Sequence, residues 1–379
     1  MKIGIVEPIL SKYLHTKALR SHIPLSGTFE VSPICNMNCE MCYVKLTKEE
    51  QEAIAPLRSK DEWLQIAREA KRQGMLFLLL TGGEPFLYGD FKNLYIELQE
   101  MGFMISINSN ATMIDKSTIA WLREYPPYRM NITIYGASDM TYDLVCSNPR
   151  GFTQLTQALD LLRDEGISVK LNCSVLPQNK HDLTNILDFA ESRDLTIQVA
   201  TYMFPSIRKC NSAIGVNNRL QPLEAAHLDL VAIVRQRGQE YFSQYLDFLE
   251  KGENILPESQ GDCVGEGVRC RGGKTAFWIT WDGRMLPCGM INCPVTFPFK
   301  EGFDLAWSQL VEFTGSIRLS GSCAACGHKD LCRSCAAMAY TEAGAFDAVP
   351  EYRCQMTKGR LAAARSIKEK LGEGVDITL

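Results

Sequence analysis

From Thr28 to Thr201, short apolar runs alternate with longer stretches in which apolar residues recur every three or four positions. A strand turns its side chains with period two and a helix with period 3.6, so this alternation reads as strand–helix units. Residues 28–33 (TFEVSP) read as the first strand, and residues 60–72 as an amphipathic helix with Trp63, Leu64, Ala67 and Ala70 on one face. The run at 75–83 (MLFLLLTGG) is apolar until its glycines, which suits a parallel strand covered on both faces. The pattern continues with helices at 91–100, 115–124, 151–164 and 181–192, and strands at 104–108, 130–135, 168–175 and 196–201. Six such units predict an α/β fold with a parallel sheet and fall short of the eight that close a full barrel. Periodicity alone leaves a partial barrel and a flat doubly wound sheet both open.

Beyond residue 203 the alternation stops. Residues 220–249 read as helix, with Leu223, Leu228, Leu230, Ile233 and Val234 as an apolar stripe. Asp282-Gly283 separates two apolar runs in 277–288 (FWITWDGRMLPC), a strong hairpin signal. The expected organisation is an N-terminal extension (1–27), a sheet domain (28–205), a helical linker (206–262) and a small cysteine-rich domain (263–379).

Composition narrows the class of protein. The chain has 379 residues, 46% hydrophobic and 22% charged, as in a soluble protein with a sizeable core. A net charge of −4 points to no nucleic acid and no anionic membrane surface. No apolar run is long enough to span a bilayer and no export signal opens the chain, so a cytoplasmic location is expected. Fifteen cysteines are then better explained by metal ligation than by disulfides.

Three of them, Cys35-x3-Cys39-x2-Cys42, share one short loop after the first predicted strand. Three thiolates fall one short of a closed zinc site and suit a [4Fe–4S] cluster with one open iron. One unit later comes Thr81-Gly82-Gly83-Glu84-Pro85, also at the end of a strand, where parallel α/β folds place their chemistry. Gly82 and Gly83 leave room for backbone to approach a ligand, and Glu84 adds an acceptor. Spacing and order resemble the radical SAM superfamily. That resemblance implies a partial (β/α)6 barrel and an open iron that chelates S-adenosyl-L-methionine (SAM). It further implies one-electron cleavage of SAM to a 5′-deoxyadenosyl radical, with Gly82–Pro85 receiving the SAM amino group. By the same likeness Ser109 or Asn110 touches the SAM ribose or carboxylate, although either also suits the N-cap of the next helix. Arg150 is the candidate cation for the carboxylate. Met41 stands where relatives carry an aromatic and packs near adenine, and Tyr43 follows it as a further cofactor-binding candidate or as core.

The remaining ordered cysteines run Cys263-x6-Cys270-x17-Cys288, then Cys323-x2-Cys326-x5-Cys332-x2-Cys335, and finally Cys354. Eight thiols suffice for two four-cysteine clusters, and C-x2-C pairs with His328 nearby also admit zinc. Their order resembles the SPASM extension of radical SAM enzymes that modify peptides. The likeness implies one auxiliary [4Fe–4S] cluster on Cys263, Cys270, Cys288 and Cys335. A second falls on Cys323, Cys326, Cys332 and Cys354, making three [4Fe–4S] clusters in all. It further implies a ribosomally made peptide as substrate, oxidatively cross-linked through a thioether, C–C or C–O bond. The electron donor would be flavodoxin- or ferredoxin-like. Only 34 residues precede Cys35, too few for a winged-helix leader-binding domain, so any leader peptide is expected to dock elsewhere or to use a separate protein. Gly289 stands where the related sulfatase maturases carry an acidic base, which argues against that reaction. Peptide epimerisation is an alternative needing a hydrogen-donating thiol. Cys146, Cys173, Cys210 and Cys293 are spare, and Cys210 lies just beyond the sixth strand. A small-molecule substrate and a non-catalytic zinc scaffold are the other readings.

Overall fold

Apolar residues at alternate strand positions set the buried face of the sheet. The computed structural model describes residues 9–209, 214–215, 218–251, 268 and 270–372. Strands β1 (Ser26–Glu30), β2 (Phe77–Thr81), β3 (Met104–Ser109), β4 (Arg129–Thr133), β5 (Val169–Ser174) and β6 (Thr196–Ala200) are parallel neighbours in chain order. β7 (Ala276–Ile279) pairs parallel with β1 and antiparallel with β8 (Met285–Leu286). Among the described residues this makes one eight-stranded sheet, in the order β6-β5-β4-β3-β2-β1-β7-β8. The order runs without reversal from β1 to β6 and reverses where β7 returns to the far side of β1.

Phe29, Leu78, Leu80, Ile105, Ile107, Met130, Ile132 and Leu171 are buried in the main core. Their neighbours on the opposite face, including Thr28, Leu79, Ser106, Asn108, Asn131 and Lys170, are partly exposed. The expectation that residues 75–83 form a strand covered on both faces is therefore corrected. Leu78 and Leu80 are buried while Phe77 and Leu79 look onto the open, largely polar face. An unbroken apolar run hides that alternation.

The covering helices are α1 (Ile9–Arg20), α2 (Lys48–Ile54), α3 (Lys60–Arg72), α4 (Phe91–Glu100), α5 (Lys116–Glu124), α6 (Asp139–Cys146), α7 (Gly151–Asp164) and α8 (Leu183–Ser192). Reciprocal side-chain caps start two of them, Thr47 with Glu50 and Ser59 with Glu62. α3, α4 and α7 have the bounds their periodicity predicts. α6 was not expected: its eight residues offer little periodicity, and the signal available was its N-cap, Ser138, which accepts from Thr141 N–H.

In the last third, α9 (Pro222–Lys251) packs against α15 (Glu351–Gly372) around a second core that includes Leu230, Val234, Phe242, Leu246, Ala364 and Ile367. The single helix expected at 220–249 is broken at Gly238, whose φ of 83° leaves the helical region. Leu223, expected in the apolar stripe, is 64% exposed. Between these helices run α10 (Pro298–Glu301), α11 (Phe303–Ser316), α12 (Gly321–Ala324), α13 (Lys329–Cys332) and α14 (Ala336–Ala343). α11 sends Phe303, Ala306, Trp307 and Leu310 into the main core, so the cysteine-rich third shares both sheet and core with the first two-thirds.

Candidate functional site

The sulfur-bearing loop leaves the C-terminal end of β1 and is pinned by the loop after β2. Gly83 N–H donates to Ser32 carbonyl at 2.7 Å and Glu84 N–H to Ile34 carbonyl at 2.8 Å. A Cβ at Gly82 would stand 2.4 Å from Ser32 O, and one at Gly83 2.4 Å from Ile34 O. The close approach that makes both positions glycine is thus to the cysteine loop's own backbone.

Glu84 is wholly buried beneath this junction. Its Oε1 accepts from Ser109 Oγ at 2.9 Å and Phe86 N–H at 3.3 Å, and its Oε2 from Asn110 N–H at 2.8 Å. Burial pushes its carboxyl up to about 7 against the pull of those donors. Asn110 Nδ2 reaches Asn36 Oδ1 at 2.9 Å and Cys35 Sγ at 3.7 Å. Ser109 and Asn110 therefore knit the ends of β2 and β3 to the cysteine loop. The N-cap alternative for them is not realised, since Asp115 caps α5 by accepting from Thr118 N–H.

Cys35, Cys39 and Cys42 form one sulfur set. Cys35 Sγ accepts from Met37 N–H at 3.4 Å and Cys42 Sγ from Lys45 N–H at 3.2 Å. Burial pushes the Cys35 thiol up to about 12, and Glu84, Cys39 and Cys42 add their negative charge. Cys42 is also raised by burial. Cys39 is held below the usual thiol range by a hydrogen bond from Cys146, with Tyr135 as a second donor. Cys146, at the end of α6, also offers its backbone carbonyl to Asn38 N–H at 2.8 Å.

The other predicted residues around this loop are placed as follows. Met41 packs partly buried on the main core. Arg150 is exposed at the start of α7, where its charge faces Asp139. The cation felt at Cys39 is Lys45, whose amine donates to Asn38 Oδ1 at 2.8 Å. Gly82 and Pro85 flank the Gly83–Glu84 junction. Cys173 is a buried core residue, and Cys293 is a hydrogen-bond partner of Tyr340. Cys210 and Cys263 lie outside the described residues.

Periodicity gave no hint of the charged knot beside this loop. Glu30, at the end of β1, is wholly buried and accepts from Arg208 Nη2 at 2.7 and 3.0 Å and from Trp278 Nε1 at 3.0 Å. Arg208 Nη1 donates to Gly289 carbonyl at 2.9 Å, and its guanidinium lies 5.4 Å from the centre of the Tyr43 ring. Tyr43 is thereby accounted for as a packing partner, its hydroxyl raised by burial. A Cβ at Gly289 would meet the Trp278 ring at 2.8 Å, so the position after Cys288 has no room for a side chain.

Two further sulfur sets follow in the last third. Burial pushes Cys288 up to about 12, and Cys335 and Cys270 oppose its ionisation as neighbours. Cys323 is raised by burial and then by Cys332, Cys326 and Cys354. Met290 N–H donates to Cys288 Sγ and His328 N–H to Cys326 Sγ, both at 3.4 Å. His328 meets sulfur through its backbone while the residue itself is exposed. Among the described residues, no three His, Cys, Asp or Glu side chains close on a single ion. All-sulfur donor sets that receive backbone N–H bonds have the chemistry of iron–sulfur sites.

Comparison with known proteins agrees with this geometry. Residues 29–190 match the model described as Radical SAM superfamily. The chain is 24% identical over 345 residues to the AdoMet-dependent heme synthase of Nitratidesulfovibrio vulgaris, covering 83% of this chain and 88% of that protein. It is 21% identical over 290 residues to the sporulation killing factor maturation protein SkfB of Bacillus subtilis, covering 76% of this chain and 66% of that one. Its fold is similar to that of Streptococcus suis SuiB bound to precursor peptide SuiA, with a TM-score of 0.67 and 20% identity over 94% of this chain and 84% of that one. No helix among the described residues is long and apolar enough to cross a membrane. The matched span holds the three-cysteine loop, the glycine pair that pins it and the strands that carry both, and over residues 29–190 the chain is similar to the enzymes of the radical SAM superfamily.

Proposed function

We propose that the chain modifies a peptide by radical chemistry, with a cross-link in a ribosomally made peptide as the product. The observation that carries this reading is the presence of three separate sulfur sets, one at the C-terminal end of β1 and two in the last third. Cys35, Cys39 and Cys42 would hold one [4Fe–4S] cluster, with Gly82–Pro85 presenting backbone acceptors to the SAM amino group. Cys270, Cys288 and Cys335, with Cys263 as fourth ligand, would hold a second, and Cys323, Cys326, Cys332 and Cys354 a third. When bound, the first cluster and SAM together supply a 5′-deoxyadenosyl radical able to abstract hydrogen from a C–H bond. The sheet is read as a partial barrel whose open polar face admits a large substrate.

The chain's own residues have defined work in this scheme. Glu84, Ser109 and Asn110 fix the cysteine loop against the ends of β2 and β3. Lys45 places positive charge beside a sulfur set that would otherwise resist ionisation. Arg208 spans the cysteine loop and the Cys288–Gly289 turn, so the first and second sulfur sets are held in one rigid frame. A flavodoxin- or ferredoxin-like donor would supply the electron.

The test is the intact mass of a short peptide encoded beside the gene, after anaerobic co-expression in D2O. Loss of two hydrogens supports an oxidative cross-link, and gain of one deuterium supports epimerisation with a cysteine donor such as Cys210. The similarity to a heme synthase favours a second reading, a small-molecule substrate. An unmodified peptide together with intact SAM cleavage would select it.

A further inference from the structure

Far from the cysteine loop, at the N-terminal end of the same strands, lies a cavity of about 450 Å³. Its walls include Thr28 of β1, Leu79 of β2, Ser106 of β3, Arg129 of β4, Lys170 of β5 and Arg271 ahead of β7. Along β3 the two ends of the sheet stand roughly 16 Å apart, at about 3.3 Å per residue. α1 closes one side of the cavity. There His15 is hydrogen-bonded to Thr275 Oγ1 and to Ser26 Oγ, each at 3.2 Å.

Three basic side chains from three elements border this space, and none of its described lining residues is Asp or Glu. Arg129 Nε donates to Asn131 Oδ1 at 3.0 Å and the Lys170 amine donates to Gln198 Oε1. Both partners are neutral amides, which orient a cation without cancelling its charge. Asn131 is held in turn by its bond to Asn108 Oδ1 at 2.9 Å, so Arg129 is positioned by a two-step amide chain. Burial holds Arg129 below its usual range, and burial followed by the Arg129 charge brings Lys170 down to about 8. Arg129 and Lys170, partly dry and side by side with amides as their hydrogen-bond partners, are costly to keep charged in the free protein, and an anion between them offsets that cost. Polar groups from Ser106 and Thr28 and apolar walls from Leu79 and Met104 complete a lining of the mixed kind found in small-molecule sites.

We propose that this cavity is a binding site for a small anionic ligand, one carrying carboxylate or phosphate groups, clamped by Arg129 and Lys170. The site is separate from the sulfur sets and does not depend on the peptide reading.

The test is calorimetric titration of the cluster-loaded enzyme with inorganic phosphate and with succinate at near-physiological ionic strength. Saturable binding of phosphate alone marks a phosphate-bearing ligand, of succinate alone a dicarboxylate, and of both the shared chemistry. In Lys170→Gln and in Arg129→Gln the affinity should fall at least about tenfold, the cost of one charged hydrogen bond. Arg163→Gln, which removes an exposed cation elsewhere, should leave it unchanged. Failure of both probes to saturate, or affinity unchanged in both cavity variants, overturns the proposal. A measurement on the wild type guards against misfolded variants. Acylation of the Lys170 amine should be slowed by a probe that binds, and labelling indifferent to both probes contradicts the site.

Discussion

At the C-terminal ends of β1, β2 and β3 stand three sulfurs and a buried carboxylate; at the N-terminal ends of β4 and β5 stand Arg129 and Lys170 around a cavity. The same strands carry both, but the ends are built differently. The sulfur end is over-determined, because the loop after β2 is bonded to the cysteine loop and Glu84, Ser109 and Asn110 lock both to β3. At the cationic end Arg129 and Lys170 border the cavity with neutral amides as their hydrogen-bond partners. A rigid end suits a cofactor that must be held in one geometry, and an unneutralised end suits a ligand that comes and goes.

The largest effect should come from the sulfur loop itself. Cys35→Ala, and likewise Cys42→Ala, should reduce SAM cleavage to background and lower bound iron by about the content of one cluster, since ligand loss opens the site. Iron and sulfide analysis checks this, and full iron content in the variant would break the contrast between the two ends.

Next in size is the charged knot. Arg208→Met leaves Glu30 buried without its cation, and should cost about 3–5 kcal/mol in denaturant unfolding. Adding Glu30→Gln should restore part of that loss, which a double-mutant cycle measures. Gly83→Ala should cost less, about 1–3 kcal/mol, because its Cβ forces the Ile34 carbonyl away and shifts the cysteine loop. Its clearer readout is weakened SAM binding.

The smallest effects are in pH. Glu84 keeps its proton up to about 7 in the folded chain, against ~4.3 for a free glutamate. Its folded value is raised, so the stability it contributes is present below about 4.5 and is lost as pH rises toward 7. Glu84→Gln should flatten that part of the stability–pH curve. Lys170 answers in the opposite sense: its amine should become reactive toward acylating reagents near pH 8, ahead of exposed lysines with values of about 10.4. Competitive labelling followed by peptide mapping checks this.

The two ends also differ in how far they could be read from residues alone. Cys35, Cys39, Cys42 and the Gly82–Glu84 turn lie within short segments, so their spacing is visible along the chain. The helices at 60–72, 91–100 and 151–164 were legible for the same reason, each carrying several turns of apolar period. Arg129, Lys170 and Arg271 are scattered over more than a hundred residues, and strand pairing alone brings them together. Met130-Asn131-Ile132-Thr133 does show the alternation of a strand with one polar face, but the pattern cannot say whether that face opens onto a cavity. Glu30 and Trp278 are likewise joined only because β7 pairs with β1, a pairing between residues about 250 positions apart that no local period encodes.

The most direct measurement is the electron paramagnetic resonance spectrum of the anaerobically reduced enzyme, with and without SAM. The spectrum should carry a reduced-cluster signal that changes shape when SAM is added. That SAM-sensitive component should be lost in Cys35→Ala while signals from the last third persist. A cluster spectrum indifferent to SAM, or no cluster signal at all, would contradict a SAM-binding cluster at Cys35, Cys39 and Cys42.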